Sequence, residues 1–274
     1  MRAERWVVKL GTGVLSTAGG SLDLHQVENL TRQLIELKKK DIEVIVVSSG
    51  AIGCGMEILG YSKRPDTIEE LQACSTLGQP FLMHYYKKFF SSYGFHVAQI
   101  LVTYFDLDSL SLRSNIRKLL EYLLLKKTVI PIINENDCVS YEEIRFGDND
   151  RLSSHIAVLT KADRLVILSN VSGLMDYSNG EKKPIPFVDE IDSRIEKLAE
   201  GTRSERSVGG MITKIEAAKI AVLAGIQMQI ADGREKDVLI RIHEGETLGT
   251  LFRVKNDART FGADSQPLPK SQRG

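Results

Sequence analysis

Apolar positions recur along this chain in two rhythms. Trp6 to Leu10, Glu43 to Val47, His96 to Val102, Val129 to Ile133, Leu165 to Leu168, Ile226 to Ala231 and Gly249 to Val254 are short, largely β-branched runs that read as strands, Val129 to Ile133 as a central one. Between them the spacing lengthens to the helical period, as in Leu24, Val27, Leu30, Leu34 and Leu37, a stripe that closes on Lys38 to Lys40. Cations suit a helix C-terminus, so that lysine run reads as a cap rather than a binding patch. Helices are also expected over Ile68 to Ser91, broken near Gly78 and Pro80, and over Leu110 to Lys126, Leu152 to Lys161 and Ile191 to Ala199. A last strong one spans Met211 to Ala224, with Gly225 at its C′ position. Strand, small-residue turn and helix in succession predict parallel βαβ units with the turns gathered on one edge of the sheet. The fold class is α/β with an open, mainly parallel sheet. After Lys255 the periodicity stops, and 255–274 reads as a flexible tail behind a domain over 1–254.

Composition narrows the function classes. The 274 residues carry 36 basic and 36 acidic side chains, so no net charge argues for nucleic acid or an anionic membrane as partner. No signal-peptide pattern opens the chain, and no apolar run approaches the roughly 18 residues of a membrane span; a cytoplasmic protein is the expectation. Cys54, Cys74 and Cys138 are too widely spaced for a zinc site, and the five histidines show no ligand spacing.

Candidate chemistry lies in the turns. Asn134 to Asp150 holds two polar clusters, Asn134 to Asp137 and Asp148 to Asp150, between a strand and a helix that Asp148 or Asp150 would cap. The segment between them, Val139 to Phe146, is long enough for a hairpin. The clusters are either a solvated turn or a ligand site at the carboxyl end of a strand. Lys9 closes the first strand and runs into Gly11-Thr12-Gly13; an edge or snorkelling role competes there with a functional one. Ser48 to Gly53 and Ser169 to Gly173 are similar small polar turns. No P-loop pattern occurs, and neither Gly11-Thr12-Gly13 nor Gly50 to Gly55 fits a dinucleotide fingerprint. Gly209-Gly210 before a helix bearing Lys214 makes an anion site by geometry and charge. A phosphoryl group in transfer asks for fixed cations and N–H donors. Lys9 and Lys214 would supply the cations and Gly11 to Gly13 the donors, with Asp150 a carboxylate between the lysines.

Five segments in the same order and with similar spacing carry a resemblance. Val7 to Thr12, Val47 to Ile52, Pro131 to Asp137, Phe146 to Asp150 and Gly209 to Lys214 are similar to those of the amino acid kinase family. Asn134-Glu135-Asn136-Asp137 followed by Gly147-Asp148-Asn149-Asp150 resembles its glutamate-phosphorylating branch. The resemblance covers roughly residues 5 to 254 and implies a three-layer αβα sandwich. It also implies transfer of the γ-phosphoryl of ATP to the side chain of L-glutamate, with Mg²⁺ on the ATP phosphates, in a homo-oligomer, dimer or tetramer. Lys9, Lys214 and Asp150 would be catalytic. Ser49, Gly50, Ala51, Asn134, Asp137, Asp148 and Asn149 would hold glutamate. Lys9, Gly11, Thr12, Gly13, Ser169, Asn170, Val208, Gly209, Gly210, Met211, Ile212, Thr213 and Lys214 would border the nucleotide, and no protein residue is assigned as a metal ligand. The chain departs from the family pattern at Gly13, Arg145, Ser169-Asn170 and Val208. Residues 255–274 are too few for the RNA-binding PUA domain that many bacterial members append. Competing readings are a related kinase acting on N-acetylglutamate, carbamate or a nucleoside monophosphate, and a non-catalytic amino-acid or nucleotide sensor.

Overall fold

The computed structural model describes residues 2–139, 149–176, 183–200 and 210–254. Strands β1 (Arg5–Leu10), β2 (Glu43–Ser48), β3 (His96–Val102), β4 (Val129–Glu135) and β5 (Arg164–Ser169) join β8 (Phe187–Val188), β9 (Gln227–Asp232) and β10 (Thr250–Phe252) in one sheet. Its order is β3-β4-β2-β1-β5-β9-β10-β8. Every neighbouring pair is parallel except β9 and β10. The carboxyl ends of β1, β2, β4, β5 and β9 therefore meet on one edge. Val129 to Ile133 lies inside the sheet, as β4 one place in from the β3 edge, and β1 and β5 are the two middle strands. Two short strands, β6 (Met175–Asp176) and β7 (Lys183–Pro184), pair separately.

A parallel sheet needs both faces covered, and the alternation along β1 shows how this one is. Trp6, Val8 and Leu10 face one core with Val27, Leu30 and Leu34 of α2 (Leu24–Lys39), Leu82, Tyr86 and Phe90 of α4 (Ile68–Ser91), and Leu239 and Ile242 of α10 (Val238–His243). Val7 faces the other, with Leu120 and Leu124 of α6 (Leu110–Leu125), Leu152 and Ile156 of α7 (Asn149–Leu159), Ile195 of α8 (Ser193–Glu200), and Met211 and Ile215 of α9 (Met211–Leu223). This is the expected three-layer sandwich. Lys9 shares the parity of Val7, so it points into the α7 and α9 layer from a strand paired on both sides. It is not an edge residue.

Three helical expectations change. The turn after β2 is already helix: α3 spans Ala51–Leu59, behind Gly50, whose φ of 106° is left-handed and suits only glycine without strain. A short helix, α5 (Tyr104–Asp108), closed by a reciprocal Thr103–Asp106 capping box, precedes α6 where no helix is expected. Helix α4 is continuous through Pro80. An interior proline costs a helix on the order of 3 kcal/mol. Burial of Leu71, Cys74 and Gly78 before it and of Leu82, Tyr86 and Phe90 after it holds the axis together.

The glycines of that region serve contact rather than breaking. Gly78 packs against α3 so closely that a Cβ there would lie 1.8 Å from the Ala51 carbonyl oxygen and 2.5 Å from the Gly55 nitrogen. Gly78→Ala is therefore expected to force the two helices apart and destabilise the fold by about 2–3 kcal/mol, read as a lower urea midpoint.

Candidate active site

The residues that the sequence distributes over the whole chain come together where β1, β2, β4 and β5 end. Asp150 lies in the first turn of α7, inside the helix rather than capping it, and is fully buried. Lys9 from β1 places Nζ 2.6 Å from its Oδ1, and Lys214 from α9 places Nζ 3.0 Å from its Oδ2. Thr213 Oγ1 is also 3.0 Å from Oδ2. Burial opposes ionisation of Asp150, but the ammonium groups of Lys9 and Lys214 outweigh it and hold the carboxyl down at about 2. Lys9 is 7% and Lys214 3% exposed. Two buried cations on one carboxylate leave one net positive charge at the sheet edge, the sign that attracts a phosphoryl group.

The first-strand turn contributes less than expected in donors. Gly11 donates its N–H to the Leu168 carbonyl at 3.1 Å, so that group ties β1 to β5. Thr12 and Gly13 follow it into α1 (Thr12–Leu15) on the exposed side. Gly13 and Asn170, two of the departures from the family pattern, meet: a Cβ on Gly13 would lie 3.1 Å from Asn170 Nδ2 and 3.2 Å from its Cγ. Ser169 Oγ lies 3.5 Å from Asn170 Oδ1. At the start of α9, Gly210 and Met211 stand beside Lys214, while Ile212 is exposed. Val208, Gly209, Asp148 and Arg145 lie outside the described residues, as does most of the hairpin expected over Val139 to Phe146.

A second group adjoins the lysine and aspartate cluster through Asn149, the neighbour of Asp150 in sequence. Asn149 Nδ2 lies 2.8 Å from the Ser48 carbonyl, 3.1 Å from Ser49 Oγ and 2.8 Å from Asn134 Oδ1. Ser49 donates its N–H to the Leu10 carbonyl, joining the ends of β1 and β2, and Gly50 and Ala51 begin α3 directly behind it. Asn134 sits near the end of β4. Asp137, just beyond, is 7% exposed, and its carboxyl is pushed up by burial, opposed by the Ser75 hydroxyl and by the charge of Arg64.

Several of these participants are unexpected. Ser75 and Gln79 of α4 bond Asp137 and Asn134, and the Tyr86 hydroxyl is 2.7 Å from Ser48 Oγ. Their signal in the sequence is polar residues inside the apolar stripe of a long helix, at spacings of four and seven.

The sequence profile of the amino acid kinase family matches residues 4–232. The chain belongs to that family. The glutamate 5-kinase of Clostridium perfringens is 43% identical to it over 260 residues, covering 92% of this chain and 96% of the relative. That of Carboxydothermus hydrogenoformans is 46% identical over 256 residues, covering 92% and 68%. The UMP kinase of Bacillus anthracis shares the fold, with a TM-score of 0.58 at 17% identity over 91% of this chain and 96% of that one. As an amino acid kinase fold, the sheet brings both polar groups to the carboxyl ends of its strands, where open α/β sheets carry their sites. No helix among the described residues is long and apolar enough to cross a membrane.

Proposed function

We infer that the chain transfers the γ-phosphoryl group of ATP to the side-chain carboxylate of L-glutamate, giving γ-glutamyl phosphate and ADP, the first step toward proline. The observation that carries this reading is Asp150 buried between Lys9 and Lys214, one residue from the Asn149 cluster with Ser49 and Asn134. The high identity to two glutamate 5-kinases supports the choice of acceptor.

The chemistry asks for what these residues have. A glutamate side chain, with an ordinary pKa of about 4.3, is already anionic at neutral pH, so its oxygen attacks the γ-phosphorus without a general base. As that P–O bond forms, the bond to the ADP oxygen breaks and charge spreads over the phosphoryl oxygens. Lys9 and Lys214 neutralise that charge. Asp150 keeps both ammonium groups aimed. Asp137 offers a carboxylate to the substrate's ammonium, and the amide and hydroxyl groups of Ser49, Asn134 and Asn149 frame the rest, with Gly50 and Ala51 beside them. Thr12, Gly13, Ser169, Asn170 and Gly210 to Thr213 border ATP.

Magnesium bound with ATP would screen the charge of its phosphates. Asp150 has both oxygens on ammonium groups, and among the described residues no cluster of three acidic, histidine or cysteine side chains is built to hold a metal, so the chain's own share is to hold the phosphoryl oxygens. The kinase domain spans 1–254 in this reading and works in a cytoplasmic homo-oligomer.

ATP turnover with glutamate, with N-acetylglutamate and with no acceptor tests this, the acyl phosphate being trapped as a hydroxamate. Hydroxamate is expected with glutamate alone. An acetylated substrate has no ammonium for Asp137, so equal or better turnover of N-acetylglutamate would overturn the acceptor assignment.

A further inference from the structure

Helix α4 reaches the amino-acid side of the site at two points. Ser75 and Gln79 are one turn apart on its buried face, 4% and 7% exposed, between Leu71, Cys74 and Leu82. A polar side chain buried there without a partner would cost about 1–3 kcal/mol. Both have partners, and both partners belong to the substrate cluster. Ser75 Oγ donates to Asp137 Oδ2 at 2.6 Å, and Gln79 Oε1 accepts from Asn134 Nδ2 at 2.9 Å.

The second contact propagates. Asn134 Oδ1 accepts from the Glu135 N–H at 2.9 Å and from Asn149 Nδ2 at 2.8 Å, so its carboxamide is gripped at both ends. Asn149 Nδ2 carries the link on to the Ser48 carbonyl and Ser49 Oγ. Tyr86, two turns further along α4, is bonded to Ser48 Oγ and closes the circuit. The depth of α4 in this circuit is set by its glycine contact with α3, which admits no Cβ at Gly78 or Gly55.

We propose that Ser75 and Gln79 are positioning residues for the amino-acid substrate, holding the Asp137 carboxylate and the Asn134–Asn149 carboxamide pair in the one arrangement that receives the ammonium and carboxylate groups of a free α-amino acid. The proposal rests on the acceptor being glutamate. Asp137 has one oxygen on Ser75 and offers the other to the substrate; without the hydroxyl the carboxylate is free to rotate. It also loses one of the two groups that favour its charged form, the other being Arg64 from the segment before α4. Burial then raises its protonation further, and a protonated Asp137 repays no ammonium.

Steady-state kinetics of the full chain test this. A hydrogen bond to a charged group contributes roughly 1.5–3 kcal/mol, so Ser75→Ala is expected to raise KM for glutamate about tenfold or more. The kcat value and KM for ATP should stay within about twofold, because the lysines and Asp150 are untouched. The acidic limb of the glutamate KM profile should move to higher pH, and Ser75→Thr, which keeps the hydroxyl, should restore both. Gln79→Leu should raise glutamate KM without the pH shift, since its partner does not titrate. A purely structural role would lower thermal stability and leave glutamate KM and its pH profile as in the wild type; that result overturns the proposal. Failure of the wild type to form hydroxamate from glutamate would overturn the acceptor assignment and this proposal together. Wild-type activity with an unmoved Ser75→Ala KM overturns this one alone.

Discussion

Lys214→Ala lowers kcat by about 10³-fold and leaves KM for glutamate within about threefold, as expected for a cation that acts on charge developed in transfer. The side chain is 3% exposed with its ammonium on Asp150, the residue next in sequence to the Asn149 that bonds Asn134. In the proposed reaction it meets the phosphoryl group rather than the amino acid. Removing it also takes one of two ammonium groups from Asp150, so the site loses its net positive charge. Single-turnover measurement of hydroxamate formation separates this from slower ADP release. A glutamate KM that rises with an unchanged kcat would move Lys214 out of the transfer step.

Asp150→Asn has the larger effect on the fold. Its carboxylate is the shared counter-ion of two buried ammonium groups, and stripping a buried pair of one partner costs about 3–5 kcal/mol because the remaining charge is left without compensation. For a chain of this size that is a fall of roughly 10 °C in Tm. Activity should fall with it, since both lysines lose their aim. The wild type carries a matching pH signature. Asp150 titrates at about 2 when folded against 3.8 unfolded, so its charge stabilises the fold fully above 3.8. That contribution, roughly 2 kcal/mol, is lost as pH falls through about 2. Urea midpoints at pH 5 and pH 3 should differ more for the wild type than for Asp150→Asn; equal differences would show that the lysines do not depend on this carboxylate.

How much of this was written in the chain depends on the range over which each residue acts. Hydrophobic period is local, and it marked α2, β3 and α6 almost to the residue. Turn chemistry is local as well, and so the small polar turns after β1, β2, β4 and β5 pointed correctly to one edge. Pro80 misled for the same reason: local propensity predicts a break, but burial of α4 on both sides of the proline outweighs it. The glycines of α3 likewise depress helix propensity while serving a contact with α4 that no window of sequence contains. Asp150 could be read from the sequence as a cap or as the carboxylate between Lys9 and Lys214, and it lies between those lysines, which come from distant parts of the chain.

By itself, then, the sequence determined the order of strands and helices, the parallel α/β class and the turns that could bear a ligand, because these follow from periodicity and backbone chemistry within a few residues. Tertiary structure alone decided that Lys9 lies in the middle of the sheet, that Asp150 sits inside its helix rather than capping it, and that Ser75 and Gln79 reach the pocket. Strand order and helix packing set those distances, and they depend on contacts between residues far apart in the chain.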